Sequence, residues 1–379
     1  MASRYFATCA RGLERFLAQE LTALGADSVE PGRGGVRFQG DRRMLYRANL
    51  ELRTAIRVLE PILEADVASP DELYEAIRTL DWQQWITPSQ TLAVDCNVRD
   101  SQITHSQYAA RRVKDAICDQ LREKLGKRPS VDTERPSVGL NLHIFRDHAT
   151  LSLDSSGDSL HKRGYRPELL RAPINEALAA GLLMASGWQP GMPLADPMCG
   201  SGTFLIEAAW MALNRPPGLT RRHFGFMGWL DFDRGEWANL RDEARRKVAK
   251  TLPVPMVGSD IRGDAIESAV ANARAAGIGH LLTFEKADVR DFFPPNLPPG
   301  IAPGMVLVNP PYGERLGETE ELVPLYRILG EVITDQCPGW RFGVFTSNRV
   351  LAKAIRVKPA QRLPFFNGAL ECELLMFGP

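Results

Sequence analysis

The chain has 379 residues, 44 % hydrophobic and 24 % charged, with no low-complexity tract, which describes a folded protein of two or three domains and excludes a stapled mini-protein or a long disordered tail. Its 46 basic and 46 acidic side chains cancel, so binding of a polyanion through bulk charge is excluded and any nucleic-acid partner has to be met by local patches. No run approaches the roughly 20 apolar residues of a membrane helix, and charges interrupt the N-terminal segment MASRYFATCARGLERF, so the expectation is a cytoplasmic protein with no membrane partner and no signal peptide.

In chain order, residues 11–24 place Leu13, Phe16, Leu17, Leu21 and Leu24 at helical spacing. TLAVDCNV (91–98) alternates as a strand does. Residues 105–125 repeat Val113, Ile117, Leu121 and Leu125 every four positions, as a helix does. LNLHIF (140–145) and ATLSLD (149–154) again alternate. Residues 1–175 are therefore read as α+β, in two small subdomains. From 176 onward short apolar strands alternate with helical or turn-rich segments: PLAD (193–196), PVPMVGSD (253–260), LLTFEKAD (281–288), GMVLVN (304–309) and RFGVFTSN (341–348). That alternation predicts an α/β fold with a doubly wound parallel sheet and a ligand site at its C-terminal strand ends. LPFF, Asn367-Gly368 and ALECELLMF predict an antiparallel hairpin closing the sheet. The six cysteines, Cys9, Cys96, Cys118, Cys199, Cys337 and Cys372, form no C-x-x-C pair and have no His at zinc-ligand spacing, so they are read as reduced thiols and no metal is expected.

Two motifs carry chemistry. Asp196-Pro197-Met198-Cys199-Gly200-Ser201-Gly202-Thr203 joins a strand ending in an acid to a Gly-x-Gly turn and a helix, which lets the backbone approach a ligand closely. A ligand-free strand–helix turn would use the same glycines, and the third glycine of the dinucleotide fingerprint is missing. Asn309-Pro310-Pro311-Tyr312 follows the strand GMVLV. Its prolines remove two N–H donors and leave carbonyl acceptors beside the Asn side chain and an aromatic ring. That set suits a planar base bearing an amine: Asn309 and the Pro310 carbonyl accept the amino hydrogens and Tyr312 stacks on the ring.

D-P-x-C-G-S-G-T with a downstream N-P-P-Y resembles the class I, S-adenosylmethionine-dependent amino-methyltransferases, whose sheet is Rossmann-like. The resemblance implies that Asp196, Cys199, Gly200, Ser201, Gly202 and Thr203 hold the methionine end of the cofactor, that Asp260 in VGSD binds the ribose and that Asp288 in EKADVRDF meets the adenine, with Asn309 at the cofactor as well as the base. LDSSGDSLHKRGYR (153–166), APINEALAAGLL (172–183), RPPGL (215–219), FGFMGW (224–229), NPPYGERLG (309–317) and NGALEC bring the chain closer still to the bacterial 23S rRNA guanine-N2 methyltransferases, which carry an N-terminal THUMP RNA-binding domain. This implies a ferredoxin-like subdomain at 1–55, a THUMP domain at 56–160, a linker at 161–175 and a methyltransferase domain at 176–379. A helix-bearing insertion at about 214–252 separates Asp196 from Asp260. Arg262 stands where relatives often have an acid, and with the chain ending at Pro379 a single reaction is expected.

The implied reaction methylates the N2 amine of a guanosine in RNA, 23S rRNA before tRNA. Adenine-N6 methylation is the further alternative. A nicotinamide oxidoreductase leaves N-P-P-Y without a role, and a silent RNA-binding factor leaves the intact acids without one. The sulfonium methyl is already electrophilic, so alignment of amine and methyl is the main demand and neither a nucleophilic Cys nor a metal is required. Three basic runs, 111–128, 161–171 and 341–370, are expected to make a split phosphate-binding surface.

Overall fold

Two sheets organise the chain in the computed structural model, which describes residues 2–166, 174–313 and 318–378. The first is built from β1 (Ser3–Cys9), β2 (Asp27–Gly32), β3 (Gly35–Gly40), β4 (Ala55–Asp66), β5 (Thr91–Arg99), β6 (Ser130–Val131), β7 (Val138–Phe145) and β8 (His148–Asp154), in the order β2-β3-β1-β4-β8-β7-β5-β6. Helices α1 (Glu14–Leu24), α2 (Arg42–Glu51), α3 (Pro70–Arg78) and α4 (Ser106–Leu125) accompany it. Local chemistry sets their ends. Ser69 accepts the Glu72 N–H while the Glu72 carboxylate accepts the Ala68 N–H, with Pro70 in the first turn, so α3 begins with a reciprocal cap. Helix α4 buries Ala109, Val113, Ala116, Ile117 and Leu121 along one stripe and stops at Gly126, which takes a left-handed conformation.

Strand β4 joins the two subdomains in one sheet. Its residues up to Leu59 pair with β1, and those from Leu59 to Asp66 pair with β8, with a register shift between Pro61 and Leu63. The expected division at 55/56 lies at the start of this strand, and backbone hydrogen bonds run on through it.

The second sheet is β11-β10-β9-β12-β13-β15-β14, from β9 (Leu194–Asp196), β10 (Met256–Asp260), β11 (Thr283–Lys286), β12 (Met305–Val308), β13 (Arg341–Thr346), β14 (Gln361–Asn367) and β15 (Leu370–Phe377). Its helices are α5 (Glu176–Ala185), α6 (Thr203–Ala212), α7 (Arg234–Arg246), α8 (Gly263–Ala275), α9 (Glu318–Glu331) and α10 (Arg349–Ala354). The first five strands are parallel and the last two antiparallel. The order reverses between β9 and β12, which opens a crevice at their C-terminal ends. Both central strands are fully buried, as a sheet covered on two faces demands. In the closing hairpin Asn367 is the last paired residue, opposite Leu370, and Gly368 takes the first loop position at φ 62°.

The insertion at 214–252 docks the N-terminal half. Phe226 packs on Tyr46 of α2 with ring centroids 4.6 Å apart, and Trp237 of α7 packs on Phe226 at 5.1 Å. Arg43 pairs with Glu236 and Glu243, and Arg42 with Asp231. The Phe226 N–H donates to Ser155 O at 3.0 Å and the Gln90 amide to Gly228 O at 2.7 Å.

Beneath this contact lies a charged network. The Arg163 Nε stands 3.6 Å from Glu207 of α6, with both side chains at most 1 % exposed. The Tyr165 hydroxyl lies 3.3 Å from the same carboxylate. Arg163 also donates to the Arg53 carbonyl, and Arg53 donates to Trp210 O and Arg215 O at the C-terminal end of α6. Burial pushes the Glu207 carboxyl above its ordinary range, and the Arg163 and Arg53 charges pull it back. Removing one partner of a buried ion pair leaves the other uncompensated, at a cost of about 3–5 kcal/mol, whereas replacing both with apolar groups is far milder. Glu207→Leu should therefore lower the urea midpoint strongly and Glu207→Leu with Arg163→Leu should recover part of the loss; equal loss in both variants would contradict this account.

Candidate active site

A cavity of about 900 Å³ opens at the crevice where the strand order reverses. Asp196, Cys199, Gly200, Ser201 and Thr203 from the β9–α6 turn line it, with Asp260 after β10, Asp288 after β11 and Asn309, Pro310 and Tyr312 after β12. The parallel sheet thus gathers residues from four strand ends into one space. Gly202 is not among the lining residues. It has φ 79°, and a Cβ there would come within 3.2 Å of the Ala269 side chain and the Phe284 ring, so it sets how closely α6 approaches α8 and β11. Gly200, at φ 52°, is the open member of the pair: a Cβ there meets nothing within 4 Å, which is the room that close approach of a ligand to the backbone needs.

The carboxylates differ in environment. Asp196 is 2 % exposed and accepts the Met198 N–H at 3.1 Å; burial, and then the Asp260 charge, push its carboxyl well above the ordinary range. Asp260 accepts the Gly200 N–H at 2.9 Å and the Arg262 N–H at 3.0 Å, which fixes its carboxylate against the turn while leaving further lone pairs. Arg262 turns away to pair with the exposed Asp264. Asp288 is held by the Arg290 guanidinium at 2.6 Å and the Arg290 N–H at 2.9 Å, and those bonds keep its carboxyl below the ordinary range and ionised. Burial raises the Cys199 thiol, with Asp196 and Asp260 adding to the effect, which is the reverse of the setting that activates a thiolate.

At the N-P-P-Y turn, the Asn309 Oδ1 is buried and has no hydrogen-bond partner among the described residues. Pro311 O accepts the Tyr326 hydroxyl at 3.2 Å. Tyr312 is anchored at both ends: Asn348 of the turn before α10 donates to its carbonyl at 3.2 Å, and the Asn367 amide lies 3.1 Å from its hydroxyl. Asn367 also lines the cavity. The sequence marked it only as a turn residue. Because Gly368 takes the left-handed loop position, Asn367 stays in the strand with its side chain on the tyrosine. Ile261, Arg290 and the α9 residues Leu325 and Ile328 were likewise not anticipated in the wall. Ile261, in the same S-D-I-R stretch as Asp260, could have been found from its position directly after the acid.

The basic runs separate. On α4, Arg112 pairs with Asp71, Lys114 with Asp115, Arg122 with Asp119 and Lys124 with Asp81, so most of that run is a neutralised helix face. In 341–370, Arg341 donates to Ser186 O and Arg362 pairs with Glu373. Residues 167–171 of the third run, 172–173 of APINEALAAGLL and 314–317 of NPPYGERLG lie outside the described residues.

Comparison with known proteins accords with this geometry. Residues 163–376 match the family described as RMKL-like, methyltransferase domain, residues 67–154 match the THUMP domain and residues 4–59 the RlmL ferredoxin-like domain. The chain is 48 % identical, over 99 % of its length, to the ribosomal RNA large subunit methyltransferase K/L of Syntrophotalea carbinolica, and spans 53 % of that relative, about half its length. Among solved structures, SMU.472, provisionally named a methyltransferase and complexed with SAH, superposes at a TM-score of 0.89 with 28 % identity, covering 100 % of this chain and 98 % of that one. A Listeria monocytogenes protein described as a predicted N6-adenine-specific DNA methylase superposes at 0.88 with 33 % identity, covering 100 % of this chain and 97 % of that one. With ferredoxin-like, THUMP and methyltransferase domains following one another, the chain belongs to the RMKL-like methyltransferase family.

Proposed function

We propose that the chain transfers a methyl group from S-adenosylmethionine to the exocyclic N2 amine of a guanosine in RNA, 23S rRNA in the first place and tRNA in the second. The observation that carries this reading is the buried Asn309 Oδ1, which has no hydrogen-bond partner among the described residues, an acceptor whose burial is costly until a donor meets it, on a residue that lines the same cavity as Asp196, Asp260 and Asp288. The K/L relative, named for the large ribosomal subunit, supports the choice of RNA. The name of the Listeria protein favours a second reading, adenine-N6 methylation, since an Asn–Pro acceptor pair fits either amine.

The cavity fits the cofactor. Gly200 leaves open space where the chain must approach it, Asp260 keeps lone pairs for ribose hydroxyls, and ionised Asp288 can accept an adenine amine. Asp196 would face the cationic amine of the methionine end. When bound, the cofactor supplies an electrophilic sulfonium methyl. The chain's own part is positional: Asn309 Oδ1 and the Pro310 carbonyl accept the amine hydrogens, aim its lone pair and favour its pyramidal form as charge develops. Tyr312, fixed by Asn348 and Asn367, offers its ring to a base drawn out of its helix.

Nucleoside mass spectrometry of 23S rRNA and tRNA from cells with and without the gene should show loss of N2-methylguanosine from the rRNA. Loss of N6-methyladenosine alone would favour the second reading, and unchanged pools would sink both. Asn309→Ala should keep SAH binding yet lose methyl transfer by roughly 10²-fold or more, the scale for a preorganised polar contact. Proton linkage tests Asp196. Its carboxyl is raised in the free protein, and a cationic partner would draw it back down, so cofactor docking should release protons. Affinity for SAH should rise with pH between the ordinary carboxylate range and the raised free value. Calorimetry in buffers of different ionisation enthalpy should detect the release in the native protein and lose it in Asp196→Asn.

A further inference from the structure

A second cleft, of about 1130 Å³, runs between the two halves of the molecule. One wall is the sheet at Val94, Gly139 and Leu140, and the other is the segment 157–166 with Thr220–Gly225 of the insertion. Its inner end reaches Asn175 and Glu176 at the start of α5, while the preceding residue, Ile174, lines the cavity of the active site. Arg166 belongs to the cleft and donates to the Thr203 hydroxyl, which belongs to the cavity. The two spaces are therefore neighbours, linked through the Arg166–Thr203 contact.

The charges of the cleft do not cancel. Arg57 takes up Asp154 and Asp95, Lys162 stands 3.6 Å from Asp158, Arg166 stands 3.7 Å from Glu176, and Arg163 is committed to Glu207. Arg221 spends both terminal nitrogens on the carbonyls of Ser156, Asp158, Ser159 and Lys162, which leaves its charge without an acid. The lining holds seven cations and five acids; with Arg163 given to Glu207, six cations face five acids, and the exposed guanidiniums without an ion pair among the described residues are those of Arg135 and Arg222. Two histidines stand in the walls: burial first, then Arg163 and Lys162, push His161 down to about 4, and burial first, then Arg135 and Arg221, lower His223.

We propose that this cleft holds the sugar-phosphate backbone of the RNA strand entering the active site, with Arg135 and Arg222 as its phosphate contacts. The cleft suits phosphates because Arg135 and Arg222, exposed in its lining, carry guanidinium forks, the group that meets phosphate oxygens in bidentate fashion. Position is the second argument: a strand lying between these walls is delivered to Ile174 and the cavity mouth. The inference rests on the RNA reading above, and it supplies what that reading lacks, a place for the phosphates.

The test uses the full chain and deproteinised 23S rRNA, with filter binding over a salt series and SAH calorimetry in parallel. Arg135→Glu with Arg222→Glu should weaken RNA binding by roughly tenfold or more and flatten the salt slope by roughly 0.7 for each phosphate no longer neutralised. SAH binding should be unchanged, which also certifies the fold. Arg122→Glu with Lys124→Glu on α4 changes net charge equally and should do little; Arg135→Ala with Arg222→Ala gives a milder version of the cleft effect. Unaltered affinity and slope in the cleft variants, or an equal effect of the α4 variant, would overturn the proposal. Absence of any RNA binding by the native protein would overturn the RNA reading with it, whereas failure of methyl transfer with intact, cleft-dependent binding would fall on the catalytic reading alone.

Discussion

The placement of the site depends on the buried contact between Arg163 and Glu207. Glu207 stands on α6, the helix that starts at the cavity turn, so whatever holds Glu207 holds Thr203 and the glycines before it. Arg163 reaches it from the segment that leaves the N-terminal sheet at Asp154, and Arg53, entering β4, grips the far end of the same helix through Trp210 O and Arg215 O. An arginine at the carbonyl end of a helix meets both the unpaired acceptors and the negative end of the dipole. Helix α6 is thus clamped at its middle and its end by residues from outside its own sheet. Desolvation makes such pairs poor sources of net stability and costly to break on one side, which makes them effective in fixing one arrangement of the two halves.

This clamp gives the insertion a structural purpose. A 64-residue separation of Asp196 from Asp260 would be surplus in a sheet that needs only a helix between two parallel strands. Here the extra chain supplies Phe224, Phe226 and Trp237 to an aromatic cluster with Tyr46, and acids to Arg42 and Arg43. The hydrophobic core is accordingly continuous from β1 to β15, whereas the second apolar cluster, around Tyr312, Tyr326 and Phe342, also takes in Ala195 and Val289. Tyr312 of the proposed amine site and the chain neighbours of Asp196 and Asp288 therefore share the smaller cluster.

Period and punctuation made much of this legible. Leu13, Phe16 and Leu17 are buried as their spacing requires, and the alternating runs became β5, β7 and β8. Strand ends marked by an acid or by Asn309 fall together because a parallel sheet brings all its C-terminal edges to one side, so sequence order alone gathers them. What remained illegible depended on partners distant in the chain. Gly202 and Gly200 read alike in sequence, and only the neighbours Ala269 and Phe284 distinguish a packing glycine from an open one. Asn367 looked like half of a turn signal, and its bond to Tyr312 spans 55 residues. Strand β4 carries backbone pairing from β1 on to β8, a partnership between distant strands that no local run of sequence announces.

Charge illustrates the same limit. A run such as 111–128 carries seven bases against three acids, and segment counting gives it weight as a nucleic-acid surface. Two of its partner acids come from outside the run: Asp71 and Asp81 lie on the α3 side and reach α4 through folding. Exposed pairs of this kind add little stability, roughly 0–1 kcal/mol each, but they cancel the far field of the helix beyond a Debye length of about 8 Å. Arg135 and Arg222 belong to no dense run and stand out only once the fold has assigned the neighbouring acids to other partners. In a neutral chain the charge that reaches solvent is a remainder after internal pairing, and that remainder depends on the tertiary contacts. On the proposed function, such a surface would select a folded RNA by the spacing of its phosphates, which a protein that attracts every polyanion through net charge cannot do.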